Sequence, residues 1–204
     1  MTLLHTQLYV VDATPYADHW PVRNPPGLQP LPKPVGGLWT STYDKAKGSE
    51  WVQWCLREGW GVPPGQVWDC CLIEPGETLK ICEINSFDDL LLIHSKFGRP
   101  GSEELTIACG PDLDPIPLFK PVWAHLDFEE MARHYNAIHL TAVGALETRF
   151  TNPGLYGWDC ESTVWLRPES LTVRPLGPVR FDPVEEVEPE FDPNLVETED
   201  ETGG

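Results

Sequence analysis

Two carboxylates lie close together in one strand-like stretch of the sequence, residues 157–166. Side chains alternate between the two faces of an extended strand, so Asp159 and Glu161 are predicted to share one face. Strands disfavour Asp and, less strongly, Glu, so the pair needs an explanation. Neighbouring carboxylates raise the pKa of one of the two, which suits a proton acceptor. Two interpretations follow: an edge strand with its polar face in water, or catalytic carboxylates at the floor of a cleft.

A second polar stretch follows Gly36 and Gly37 and predicts a short strand rich in hydroxyl groups, with Thr40 and Ser41 at its centre. Glycine allows a positive φ and a close approach of the backbone, so the two glycines are expected at a tight bend or beside a ligand. Six of the fourteen residues 21–34 that precede this strand are proline, which predicts a long extended loop. A loop of that length in a compact domain favours a functional role, for instance as a flap over a site.

The remaining pattern predicts one α+β domain over residues 1–180, with short strands in two small split sheets and about three helices. Helices are expected after the N-cap residues Ser49, Ser86 and Asp127. Residues 66–74 and 77–84 predict a hairpin that turns at Pro75 and Gly76. The other strands are expected at residues 3–11, 105–108, 137–141 and 170–173. No Gly-rich dinucleotide or phosphate-binding loop follows a strand, so neither a Rossmann unit nor a P-loop is predicted.

Charge is concentrated at the end of the chain. The formal net charge of the 204 residues is −18, and the ten acidic residues after position 180, with no Lys or Arg among them, leave −8 for the rest. That segment is rich in Pro and poor in apolar residues, which predicts a disordered acidic tail over residues 181–204. An acidic body argues against tight, sequence-independent binding to nucleic acid, because such binding needs Lys and Arg to neutralise phosphates.

The sequence opens without a signal peptide and holds no apolar run of membrane-spanning length, so we expect a cytoplasmic protein with no membrane partner. The six cysteines are not arranged as C-x-x-C pairs, which favours reduced core residues. The six histidines show no metal-binding spacing, so no metal site is predicted.

The order of these parts resembles the mono-ADP-ribosyltransferase fold, in which two small split sheets hold NAD between them. The residues that carry this resemblance are Trp39-Thr40-Ser41-Thr42, similar to the aromatic-Ser-Thr-Ser strand of the family, and Asp159-Cys160-Glu161, similar to its Glu-containing strand. The acidic, Pro- and Trp-rich composition also resembles that of proteins of bacterial viruses. The resemblance implies NAD as the substrate and ADP-ribose transfer as the activity.

The resemblance also implies roles for individual residues. Glu161 would hold the ribose 2′-hydroxyl and favour the cationic state that forms when the nicotinamide–ribose bond breaks, as glycosidase carboxylates do. Asp159 would position the acceptor or take its proton. Ser41 or Thr40 would support Glu161 or touch the ribose. Two aromatic residues, Trp39 and Tyr43, are candidates for stacking on the nicotinamide ring, although core packing is the favoured explanation for Trp39 taken alone.

On its first strand the family usually has an Arg or His that contacts the ribose and phosphates of NAD, and the candidates for this position here are His5 and Tyr9. Arg23 or Arg149 would serve the pyrophosphate, and His139 is either a further polar candidate or a solvent-facing strand residue.

Two function classes follow. The first is an NAD-dependent mono-ADP-ribosyltransferase that acts on a protein or nucleic-acid acceptor. The second is a non-enzymatic acidic protein that binds a basic partner through charge and exposed tryptophans.

Overall fold

In a computed structural model, the chain forms a mixed α+β fold around one seven-stranded sheet. The structure describes residues 4–10, 19–26, 33–76, 78–99, 124–167 and 171–184, and within them it contains seven strands and four α-helices. Strands β1 to β7 span Gln7–Val10, Leu38–Thr42, Val67–Pro75, Ile81–Ile84, Ala137–Leu140, Ser162–Trp165 and Leu171–Arg180. Helices α1 to α4 span Glu50–Glu58, Phe87–Phe97, Phe128–His134 and Ala142–Thr148, and a 3₁₀ turn covers Tyr156–Trp158.

The helices begin at capping residues that satisfy their first free N–H groups. Ser49, Ser86 and Asp127 each accept a hydrogen bond from the backbone N–H three residues later, which confirms the three predicted helix starts. Thr141 caps α4 in the same way. This fourth helix was not predicted, because its apolar side chains Val143 and Leu146 are exposed and so do not mark a buried face.

The strands lie in the order β4-β5-β6-β2-β1-β3-β7, and β4 and β5 form the parallel pair of this sheet. The prediction of two small sheets is wrong, because β2 pairs along its first half with β6 and along its second half with β1. The predicted hairpin between β3 and β4 is also wrong. β3 does not pair with β4. It pairs with β7 over nine residue pairs, and β4 lies beside β5.

Two helix layers cover separate halves of one face of the sheet. Over β4, β5 and β6, helices α2 and α3 bury Leu90 and Met131 in one core. Over β1 and β3, helix α1 buries Val52 and Leu56 against Leu8 in a second core. Because the two cores are separate clusters, the middle of the sheet between them is left for the site described below.

The packed chain extends beyond the boundary predicted at residue 180. Phe181 is only 5% exposed and lies in the core under α1. The Gln53 amide donates to the Asp182 carbonyl at 3.3 Å and accepts from the Val184 N–H at 2.9 Å. The start of the predicted tail is therefore ordered by packing and hydrogen bonds. Residues 185–204 and the strand predicted at 105–108 lie outside the described residues.

Cysteines pack as unpaired thiols in the described part of the chain. Cys55, Cys70 and Cys82 are buried and free, which confirms the prediction of core residues for these three. Burial raises the pKa of Cys55 and of Cys82 to about 12, so both thiols stay protonated. Cys109 lies outside the described residues. None of the helices described is long and apolar enough to cross a bilayer.

Gly37, at the start of β2, provides a test of this packing. Its φ is +79°, and an added Cβ would meet Val164 Cγ2 at 2.9 Å and the Trp165 carbonyl oxygen at 3.1 Å. We expect Gly37→Ala to lower the free energy of unfolding by about 2–4 kcal/mol, from backbone strain plus the clash. Gly59 has a φ of +64° but no atom within 4 Å of an added Cβ, so Gly59→Ala should cost only about 1–2 kcal/mol. Equal losses in urea unfolding would contradict the predicted clash.

Candidate functional site

A cleft of about 790 Å³ opens in the middle of the sheet, where β1 separates from β2. The register pairs Gln7 with Thr42 and Leu8 with Ser41, after which β1 continues beside β3 alone. The cleft is lined on one side by β1 and on the other by Trp39, Thr40 and Ser41 of β2. Gly36 and Gly37, at the entrance to β2, line it as well and both have a positive φ, as the sequence predicted.

The walls of the cleft are largely aromatic. Aromatic faces favour flat ring systems and cations, so the walls are suited to a ligand that carries one or both. Tyr156 and Trp158 come from the 3₁₀ turn, and the Trp158 ring packs edge-on against Trp39 with 4.8 Å between the ring centres. The aromatic side chains that line the cleft are Tyr9, His19, Trp39, Trp51, Trp54, Trp60, Tyr156 and Trp158.

The carboxylate of Glu161 lies directly behind one wall residue, Ser41. Glu161 is 7% exposed, and its Oε2 accepts hydrogen bonds from Ser41 Oγ at 2.5 Å and from the Thr42 N–H at 3.0 Å. Its Oε1 accepts from Thr42 Oγ1 at 2.9 Å. Glu161 directly precedes β6, and the pairing of β6 with β2 stops at Thr40. The Thr42 N–H therefore has no backbone acceptor on β6, and the Glu161 side chain supplies one instead. The sequence-predicted pair of Ser41 and Glu161 is therefore joined by a short hydrogen bond.

Burial controls the ionisation of this carboxylate. It raises the pKa of Glu161, because a charge is disfavoured away from water, and the hydrogen bonds from Ser41 and Thr42 offset part of that rise. His139 Nδ1 lies 3.6 Å from Glu161 Oε1 and 2.9 Å from Thr163 Oγ1. Burial also lowers the pKa of His139, so this imidazole is neutral near pH 7 and forms no full ion pair with Glu161. His139 is buried and does not face solvent, contrary to one prediction.

A second layer of polar side chains supports the hydrogen bonds of Glu161, and the sequence did not predict it. Gln7 is fully buried on β1, where its amide donates to Thr42 Oγ1 at 3.0 Å and accepts from Thr40 Oγ1 at 3.2 Å. The Trp165 indole N–H donates to Thr40 Oγ1 at 2.9 Å. This layer fixes the hydroxyl of Thr42, which in turn donates to Glu161. The sequence signal that could have revealed this layer is a Gln in an otherwise apolar strand.

Asp159 is turned away from the position that the sequence predicted. β6 begins only at Ser162, and Asp159 follows the 3₁₀ turn with a φ of +44°, so the expected pair of carboxylates on one strand face is wrong. The buried ring of Trp158 holds this turn and keeps the chain from extending. The edge-strand alternative is wrong too, because β6 pairs on both sides. Asp159 lines the cleft, whereas Glu161 lies behind it.

Burial and nearby positive charges act in opposite directions on the pKa of Asp159. Burial raises its pKa, and the positive charges of Lys33 and Arg149 offset part of the rise. Lys33 Nζ lies 3.8 Å from Asp159 Oδ2 and lines the cleft near the end of the predicted loop. The Arg149 guanidinium packs over the rings of Phe150 and Tyr156. Lys33 was not predicted, because nothing local in the sequence links it to Asp159.

The predicted ligand-contacting residues divide into two groups. Tyr9, Trp39 and Thr40 line the cleft together with Ser41. His5 is exposed ahead of β1, and Tyr43 packs beside the core under α1. The cleft wall therefore brings together most of the predicted residues and adds Lys33 to them.

Among the described residues, no three His, Cys, Asp or Glu side chains are grouped so that they could hold a metal ion. No protein-family model, curated protein or solved structure matches this chain. Its function must be inferred from the geometry and chemistry of the cleft.

Two substitutions of Glu161 separate its hydrogen bonds from its charge. We expect Glu161→Ala to lower the free energy of unfolding by about 2–4 kcal/mol, because the Thr42 N–H loses its acceptor in a buried position. Glu161→Gln should cost less, since its amide oxygen can accept from Ser41 and Thr42 while its NH₂ group donates to Thr42 Oγ1. Urea unfolding of the three proteins measures both values. A smaller loss for Ala than for Gln would contradict the assigned network.

The raised pKa of Glu161 predicts a pH dependence of stability. The folded state binds this proton more tightly than the unfolded chain, whose carboxyl has the ordinary value of 4.5. The free energy of unfolding should therefore fall as the pH rises from 4.5 through the raised value, and Glu161→Gln should not show this component. Urea unfolding of both proteins over a pH series tests the difference. An advantage for the wild type that grows with pH would contradict it.

Proposed function

We propose that the protein is a mono-ADP-ribosyltransferase that cleaves NAD in this cleft and transfers ADP-ribose to a macromolecular acceptor. The observation that carries the proposal is the Ser41–Glu161 hydrogen bond at the place where the sheet divides. It joins the two sequence stretches that resemble the family, although they lie 120 residues apart. The acceptor is a protein or a nucleic acid with a free nucleophile.

The size and chemistry of the cleft support NAD as the ligand. Its volume of about 790 Å³ lies within the range of about 300–1,000 Å³ that is typical of small-molecule sites. Both ends of NAD are flat rings, which the aromatic walls can stack against. Lys33 is a cation that could pair with the pyrophosphate, and it replaces Arg23 and Arg149 as our candidate for that role.

The proposed reaction breaks the bond between ribose C1′ and the nicotinamide nitrogen. The electron pair of that bond moves to the nitrogen, nicotinamide leaves as a neutral molecule, and C1′ becomes cationic. The acceptor then forms a bond to C1′ and releases its proton. A fixed negative charge near C1′ lowers the energy of the cationic state.

Each polar residue of the site has a part in this scheme. Ser41 lines the cleft but is only 1% exposed, and its hydroxyl oxygen accepts from the Trp51 N–H at 3.3 Å. Its remaining lone pair is assigned to a ribose hydroxyl. Glu161 acts from behind Ser41: it orients that hydroxyl and places a carboxylate beneath the ribose, so it is a positioning residue. Asp159 faces the cleft, and because burial raises its pKa it is suited to accept the proton of the acceptor nucleophile.

The test is NAD consumption with nicotinamide release by the purified protein, with cell lysate as the source of acceptor. We expect Glu161→Gln to lower kcat about 100-fold or more and to change KM little, because its charge matters most in the transition state. Ser41→Ala should lower kcat by a smaller factor. Glu129→Gln, which removes one charge from an exposed position on α3, is the matched control and should retain activity.

If the wild type neither binds nor consumes NAD, the proposal is wrong. Binding of NAD without release of nicotinamide, by wild type and variants alike, would exclude the transferase activity. Activity that Glu161→Gln leaves unchanged would exclude the role assigned to Glu161.

A further inference from the structure

Helix α4 has the opposite polarity to that expected of a surface helix. Its buried residues are Gly144 and Thr148, whereas the apolar side chains of Val143 and Leu146 point outward and Leu146 is 80% exposed. Surface helices normally bury their apolar stripe and present polar residues to water. Phe150, two residues after the helix, continues the outward stripe and is 81% exposed. An outward apolar stripe of this kind indicates a surface that another molecule covers.

The neighbouring helix α2 adds a second apolar stripe, because Leu91 and Leu92 are exposed as well. The two helices pack side by side, and the Glu147 carboxylate on α4 accepts from the Phe87 N–H at the start of α2 at 3.2 Å. Five of the eleven exposed large apolar side chains among the described residues lie on these stripes, which we call the α2/α4 surface: Leu91, Leu92, Val143, Leu146 and Phe150.

Helix α4 is fixed in place by its inner side. The Gly144 backbone packs on the end of β4 so closely that an added Cβ would overlap the Ile84 carbonyl oxygen. The Phe150 ring is held as well, since the Arg149 guanidinium lies over it at 5.6 Å from the ring centre. The apolar side chains are therefore placed before a partner binds, which lowers the entropic cost of binding.

The charges on the α2/α4 surface favour a basic partner. Asp88 lies three and four residues before the two leucines, and Glu147 lies four residues after Val143 and three before Phe150, so both carboxylates share the apolar stripes. Lys96 is at the opposite end of α2, about 12 Å from Asp88 along the helix axis. The whole chain carries a net charge of −18, so a second copy would be repelled, whereas Lys or Arg beside the two carboxylates would be attracted.

A helix is the partner element that fits this surface. An added β-strand needs the free backbone groups of a sheet edge, and two packed helices offer side chains instead. A third helix buries its own apolar stripe against two neighbours by packing ridges into grooves.

We propose that the α2/α4 surface binds an amphipathic helix of a partner protein, one that carries Lys or Arg at the end that meets Asp88 and Glu147. Its apolar residues are spaced i, i+3 or i+4, and i+7, so that they form one stripe. The five side chains of the α2/α4 surface do not line the cleft, so this proposal is independent of the proposed activity.

The test is a titration of the full chain with a labelled helical peptide of about fourteen residues, about four turns, with Leu on one face and Lys near one end. Binding is measured by fluorescence polarisation beside two control peptides. One has the same composition with its Leu residues scattered around the helix, and the other has Glu in place of Lys. The wild type should bind the Leu/Lys peptide more tightly than either control.

Substitutions of the apolar stripe locate the binding site. Leu146→Gln should weaken binding of the Leu/Lys peptide about tenfold or more, because it removes an apolar contact while Gln remains a good helix former. Val143→Gln should weaken binding by a smaller factor. Val67→Gln is its matched control, since Val67 is a similarly exposed valine on β3, and it should have no effect.

Substitution of a carboxylate tests the charge preference. Glu147→Gln keeps an acceptor for the Phe87 N–H, and it should weaken binding of the Leu/Lys peptide about two- to fivefold and reduce its salt dependence. Glu129→Gln, at an exposed position on α3, removes the same charge and should have no effect.

Urea unfolding of these variants should match that of the wild type, because the substituted side chains are exposed. Equal binding of the three peptides, or equal effects of Val143→Gln and Val67→Gln, would overturn the inference. A dimer in sedimentation equilibrium that Leu146→Gln dissociates would show that a second copy covers the surface, and would overturn it too. Binding to phosphatidylcholine vesicles that Leu146→Gln abolishes would replace the partner helix by a membrane surface and would likewise overturn it.

Discussion

The hydrogen bonds between Glu161 and β2 are the interactions on which this structure depends most. A β-sheet cannot divide without leaving backbone groups unpaired, and a buried unpaired N–H is costly. Here β6 begins only after Glu161, and the carboxylate of Glu161 accepts from the Thr42 N–H in place of another strand residue. β2 pairs with β6 over its first three residues and, on its opposite edge, with β1 over its last two, and the cleft opens where β1 and β2 are not paired.

Stability and the candidate site are coupled through that carboxylate. Its burial opposes ionisation, whereas its hydrogen bonds from Ser41 and Thr42 favour it. The neutral imidazole of His139 and the amide of Gln7 complete a polar layer on the far side of the cleft wall. Such layers are most stable when every member is paired, so a substitution within this one affects both folding and the position of Ser41.

The cleft combines aromatic surface with charged groups of both signs. Its aromatic walls favour flat rings, and Lys33 and Asp159 add opposite charges near Trp39. The transferase proposal depends on Ser41 and Glu161, with Asp159 on the cleft wall as the proton acceptor.

The sequence by itself determined the elements whose signals are local. The caps at Ser49, Ser86 and Asp127, the bend at Gly37 and the polar strand containing Ser41 follow from neighbouring residue types and their intrinsic preferences. Only the tertiary structure decided the pairing of β2 with both β6 and β1, the turn at Asp159, and the contact of Lys33 with Trp39. The physical reason is that strand pairing and buried contacts join residues far apart in the chain. A single sequence therefore shows which residue types are present. The packing of Trp158 on Trp39 and the hydrogen bond between Ser41 and Glu161 are contacts that only the folded chain forms.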